Sequence, residues 1–131
     1  MSNWTHICGA LYVETFKEEK NIKKYVKRKL KNAPRITGSE RDVDIFINKL
    51  SGYNLCSYAY GRTKKYQTCV CISIIGDLRD RCMQQTENEY KKFIDYIEGS
   101  FDIRDGSITM HEAMTGETKQ FEEGWYTNID N

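Results

Sequence analysis

The run Tyr66-Gln-Thr-Cys-Val-Cys-Ile-Ser-Ile-Ile-Gly76 constrains the fold more than any other stretch of this chain. In an extended segment Thr68, Val70, Ile72 and Ile74 fall on one face and Gln67, Cys69, Cys71 and Ser73 on the other, because side chains alternate along a strand. A β-branched aliphatic row backed by a small, semi-polar row predicts a central strand with one face against a helical layer. Gly76 is expected to stop this strand, and the charged turn Asp77-Leu-Arg-Asp-Arg81 then leads into a helix capped by Thr86.

The other segments arrange themselves around that strand. Trp4–Val13 alternates, with Thr5, Ile7, Gly9, Leu11 and Val13 on one face and His6, Cys8, Ala10 and Tyr12 on the other. Thr15-Phe-Lys-Glu18 reads as a capping box opening a helix over 17–31, with Ile22, Tyr25, Val26 and Leu30 as its apolar stripe and Asn32-Ala-Pro34 as its stop. Asp42–Asn48 alternates again, placing Val43, Ile45 and Ile47 together. Leu50–Lys65 carries no period and reads as a long loop. Thr86-Glu-Asn-Glu89 is a second capping box for a helix over 86–98, striped by Tyr90, Phe93, Ile94 and Ile97 and closed by Gly99. Ile103–Ala113 reads as a strand broken or started at Asp105-Gly106. Glu117–Tyr126 returns as a hairpin strand after the turn at Thr115-Gly116, and 127–131 forms a loose tail.

That order predicts one α+β domain over 1–131, a ferredoxin-like split βαβ sandwich with two helices on one face of an antiparallel sheet and a C-terminal β-hairpin. In it the first and third strands are central neighbours and the fourth lies beside the first. The sheet face turned from the helices then gathers His6, Cys8, Tyr12, Cys69, Cys71, Ser73, Thr109 and His111. This face is expected to be covered by the C-terminal hairpin or by a second copy.

Charge narrows the partners. A net charge of +1 argues against a general polyanion binder, but the charges are unevenly placed. Lys17–Lys31 holds eight basic residues against two glutamates, and Glu98–Asn131 holds eight acidic residues against Arg104 and Lys119. Such a dipolar layout favours a homo-oligomer. Five cysteines without a C-x-x-C, and an N-terminus lacking the basic and apolar regions of a secretory signal, predict free thiols in a reducing cytoplasm. No stretch is apolar enough for a membrane span, so no membrane partner is expected.

Three stretches carry a resemblance: the opening Met1-Ser-Asn-Trp-Thr-His6, the segment Thr37-Gly-Ser-Glu40, and Gly76-Asp-Leu-Arg-Asp-Arg81 after a strand. They resemble a group of small uncharacterised bacteriophage and prophage proteins. The resemblance implies a viral or mobile-element origin, a host-cell cytoplasmic location and, by analogy, binding that counters host defence. It implies no chemistry.

Two places suit an anionic ligand. Arg79 and Arg81 lie at a strand-to-helix junction, where guanidinium forks match phosphate or carboxylate. Tyr58, Tyr60 and Arg62 interleave rings and a cation in the long loop, as stacking on bases with contact to phosphate requires. The reading is a non-enzymatic accessory protein that captures a host immune factor or a nucleotide-like ligand, with no cofactor and no metal. The alternatives are a small phosphodiesterase or ribonuclease using His6 and His111, and a nucleic-acid-binding protein using the Lys17–Lys31 helix. The enzyme needs its histidines in mutual reach. The binder needs its cations to converge.

Overall fold

A computed structural model describes residues 2–15, 21–50, 58–60, 63–65 and 68–124, with the side chains of 58–60 and 63–65 outside that description. Its elements are β1 (Trp4–Thr15), α1 (Ile22–Leu30), β2 (Asp44–Lys49), β3 (Tyr58–Tyr60), β4 (Thr63–Lys65), β5 (Thr68–Arg79), α2 (Met83–Ser100), β6 (Asp102–Glu112) and β7 (Thr118–Gly124). Strands β3 and β4 form a small antiparallel pair. The other five make one antiparallel sheet in the order β2-β5-β1-β6-β7. The predicted α+β class is therefore observed, with β1 and β5 side by side at the centre and β6 next to β1.

Alternation sets which face is buried. Ile7 and Leu11 of β1, Ile72 and Ile74 of β5, and Ile108 and Met110 of β6 are each no more than 1% exposed. Against them pack Ile22 and Val26 of α1 and Tyr90, Phe93 and Ile97 of α2. Burying each of these large side chains contributes about 1.5–3 kcal/mol. The helices also meet each other, since the Tyr96 hydroxyl donates to the Lys29 carbonyl at 2.6 Å and Tyr25 meets Phe101 edge-on. Both helices thus cover one face of the sheet.

The strand boundaries correct the sequence reading. β5 does not stop at Gly76 but runs on to Arg79. Leu78 continues the buried row at 0% exposure, while Asp77 and Arg79 continue the opposite row. Gly76 stays within the strand because Val43 packs over it: a Cβ there would lie 2.9 Å from Val43 Cγ1. The turn comes at Asp80, whose φ is 59°. Asp105-Gly106 likewise lies inside β6, which is irregular only where its pairing with β1 shifts between Tyr12 and Val13. Part of the expected loop pairs as β3 and β4, and Asp42 lies outside β2 in an isolated bridge to Thr37.

The helix ends differ as well. α2 begins at Met83, one turn earlier than Thr86 would place it. Cys82 is its N-cap residue, with its N–H donated to Gln85 Oε1 at 3.0 Å, and Thr86 lies within the first turn with its hydroxyl on the Cys82 carbonyl. Gly99 is helical, and Phe101 ends the helix instead. α1 spans Ile22–Leu30, and Thr15 ends β1; the rest of the predicted Thr15–Glu18 capping box lies outside the described residues.

Of the two covers expected for the far face of the sheet, the C-terminal hairpin does not supply one. β7 does not fold over the sheet but extends it at the β6 edge. Among the described residues the face away from the helices is open, with Tyr12 38%, Phe46 54% and Ile75 52% exposed. Among the described residues no helix is long and apolar enough to cross a membrane.

Candidate functional site

The open face holds one row of side chains that the sheet assembles from four strands. Because β1 is flanked on both sides, His6 lies opposite Asp77 of β5 and also opposite His111 of β6. His111 in turn lies opposite Thr118 of β7. Residues directly opposite in antiparallel strands are close enough to interact, and all three pairs do.

His6 Nδ1 lies 2.5 Å from Asp77 Oδ1. An ionised carboxylate can only accept, so Nδ1 carries the proton in that bond. His111 Nδ1 lies 2.9 Å from the Thr118 hydroxyl. The two imidazoles stand 6.2 Å apart between centroids and are within 12° of parallel. Each ring is therefore held through Nδ1, and Nε2 is the nitrogen left for a ligand. The row is wet: the side chains of His6 and Asp77 are 45% and 57% exposed.

Arg79 lies on the same face, two residues along β5 from Asp77 and opposite Trp4. Its Nε donates to Ser2 Oγ at 3.0 Å, and its Nη1 pairs with Glu40 Oε1. Those bonds use two of its five N–H groups. Arg81 is turned to the backbone, its Nη1 donating to the Asp80 carbonyl at 3.1 Å. The Arg81 carbonyl accepts from the Thr5 hydroxyl at 2.8 Å, tying the start of α2 to β1. Tyr58 and Tyr60 fall on β3, but their side chains, like the whole of Arg62, lie outside the described residues.

The cysteines of this face do not act together. Cys8 is exposed, Cys71 is half-buried with its sulfur 3.7 Å from Ser73 Oγ, and Cys69 is buried. Burial pushes the Cys69 thiol up from its usual value. Among the described residues no group of three or more His, Cys, Asp or Glu is placed to hold a metal ion.

Other polar groups serve the fold. The buried Glu112 carboxylate accepts from Asn3 Nδ2 at 2.8 Å and from the Met83 N–H at 3.0 Å, so β6 anchors the first turn of α2. The Asn3 bond, and then the Met83 bond, hold that carboxyl below the usual carboxylate range. Burial raises the Glu123 carboxyl and pushes the Tyr90 phenol well above its usual value, and Tyr90 donates to Glu123 at 3.2 Å. Lys119 bridges to Glu87 at 3.0 Å and joins β7 to α2.

The sequence reading names Arg79 as a ligand contact and His6 and His111 in an alternative, and gives Asp77 and Thr118 no place beside them. Asp77 reads as part of a turn, although carrying the period of two past Gly76 puts it on the His6 face. No sequence signal brings Thr118 to His111; only the β6–β7 register does. Compared with family models, curated proteins and solved structures, the chain finds no match.

Proposed function

We propose that this protein is a small phosphodiesterase that grips and cleaves a phosphodiester on its open sheet face, using His6 and His111. The observation that carries this is the near-parallel ring pair, 6.2 Å apart, with Nδ1 of both rings already held. Two charge-assisted hydrogen bonds of roughly 2.8 Å each bring one phosphate group against both rings. Arg79, on the same face, supplies further donors to the phosphate oxygens.

The chemistry suited to such a pair is transfer to an adjacent hydroxyl. Neutral His111 takes the proton of a ribose 2′-hydroxyl as that oxygen attacks phosphorus. His6, doubly protonated and facing the Asp77 carboxylate as counter-charge, gives a proton to the departing 5′-oxygen. The P–O5′ bond breaks, a 2′,3′-cyclic phosphate forms, and no other reactant enters. A ribo-oligonucleotide incubated in EDTA tests this. The expected result is a cyclic-phosphate product from RNA, none from the matching DNA, and loss of at least about a hundredfold in rate for His6→Ala or His111→Ala. RNA left intact by the folded protein sinks the proposal.

A second reading is favoured by the openness of the face, which among the described residues has no wall to exclude water from the histidines. In it the same groups capture a nucleotide-like ligand without turnover, and the phage resemblance makes that ligand a host defence signal. Saturable binding without product selects this reading.

The fold itself is read as a ferredoxin-like sandwich. In support, β1-α1-β2 and β5-α2-β6 are strand–helix–strand units, each split by one strand of the other. The edge strand β7 and the small β3–β4 pair are additions to that plan.

A further inference from the structure

We infer that the groove between α1 and the edge strand β2 seats a single-stranded polynucleotide. The groove has a volume of 440 Å³ and lies away from the histidine row. Leu30, Ile45 and Ile47 give it an apolar lining, and Lys23, Lys27 and Lys31 also line it. These lysines recur every fourth residue along one side of α1 and its C-cap, roughly one helical turn of 5.4 Å apart. All three are exposed, and none makes an ion pair among the described residues.

A ladder of exposed ammonium groups beside an apolar lining asks for a ligand that repeats both features. A polynucleotide does, with phosphates for the lysines and bases for the apolar strip. A duplex does not, because its base faces are stacked inside. Phe46 strengthens the case for a nucleic acid over an acidic peptide. It lines the same groove, is 54% exposed, and belongs to the strand row that faces the open side of the sheet. A ring at that edge offers a stacking platform where the chain passes from one face to the other.

The path onward is short. Phe46 lies opposite Ser73, which lies opposite Ala10, four residues along β1 from His6. That displacement is roughly 14 Å along the strand and 10 Å across two strand spacings, a distance a few nucleotides cover. The inference itself stands on the groove and does not depend on cleavage at the histidines.

Fluorescence anisotropy with a labelled 2′-O-methyl oligouridylate, over a range of salt, tests it. We expect saturable binding whose log K falls linearly with log salt. The slope should diminish by about 0.7 for each of Lys23→Gln, Lys27→Gln and Lys31→Gln. Phe46→Ala should weaken binding about tenfold or more at an unchanged salt slope. Because this probe has no free 2′-hydroxyl, the histidine pair does not turn it over, which separates failure here from failure of the catalytic reading. Binding unaffected by the triple lysine substitution in a folded protein overturns the inference. So does equal competition by poly-glutamate, which would mark an acidic-peptide site, or by a duplex of the same length.

Discussion

Ile74 and Ile75 are adjacent in sequence and 1% and 52% exposed, so replacing each by alanine measures the two faces of the sheet separately. An isoleucine loses three carbons on becoming alanine, about 2.4 kcal/mol of transfer free energy at about 0.8 kcal/mol each. Ile74 lies opposite Gly9 on β1 and Ile45 on β2. Gly9 has no side chain to move into the vacated space, so a cavity penalty adds and the total reaches about 4 kcal/mol. Ile75 is already half wet and leaves no cavity, so its loss is about 1 kcal/mol. The weaker strand preference of alanine enters both variants and largely cancels in the difference. A gap of about 3 kcal/mol separates their urea midpoints by about 1–3 M, given a slope of about 1–3 kcal/mol/M. Equilibrium urea unfolding followed by circular dichroism reads it directly. Equal losses for the two variants at every protein concentration refute the assignment of faces. A loss at Ile75 that grows with protein concentration shows that a second copy packs on the open face.

Three further outcomes follow from the same contacts. Because the folded value of Glu112 lies below its unfolded one, its contribution is full above the ordinary carboxylate range and is lost as pH falls through the folded value. Glu112→Gln should therefore flatten the decline in urea midpoint between about pH 5 and pH 2. An alanine at Gly9 would put its Cβ 2.1 Å from the Ser107 carbonyl oxygen in a central strand, and φ there is +155°. Gly9→Ala should lower the thermal midpoint by more than about 10 °C, and a smaller shift would show that β1 and β6 can separate locally. Among Cys8, Cys69 and Cys71, iodoacetamide with peptide mapping should label exposed Cys8 first and buried Cys69 last. Labelling in the reverse order would refute the burial of Cys69.

By itself the sequence determined what local periodicity can record. Val70, Ile72 and Ile74 alternate, and Ile22 and Val26, or Tyr90, Phe93, Ile94 and Ile97, recur at helical spacing, because burial selects apolar residues at the period of the element. Those residues are the core, and the α+β class follows from them. The element ends were decided by contacts from elsewhere in the chain. Gly76 reads as a stop, yet the strand continues because Val43 needs the space a side chain would fill. Thr86 reads as a cap, yet α2 starts at Met83, where the Glu112 carboxylate from β6 takes the free N–H. The candidate site depended on tertiary structure most of all. His6 and His111 are 105 positions apart, and Asp77 and Thr118 join them only through strand order and register. The groove beneath Lys23, Lys27 and Lys31 likewise exists only because α1 packs beside β2 at the sheet edge. Alternation tells each residue which face it occupies; which residue faces it across the ladder is a property of pairing between distant segments, and no local pattern encodes that.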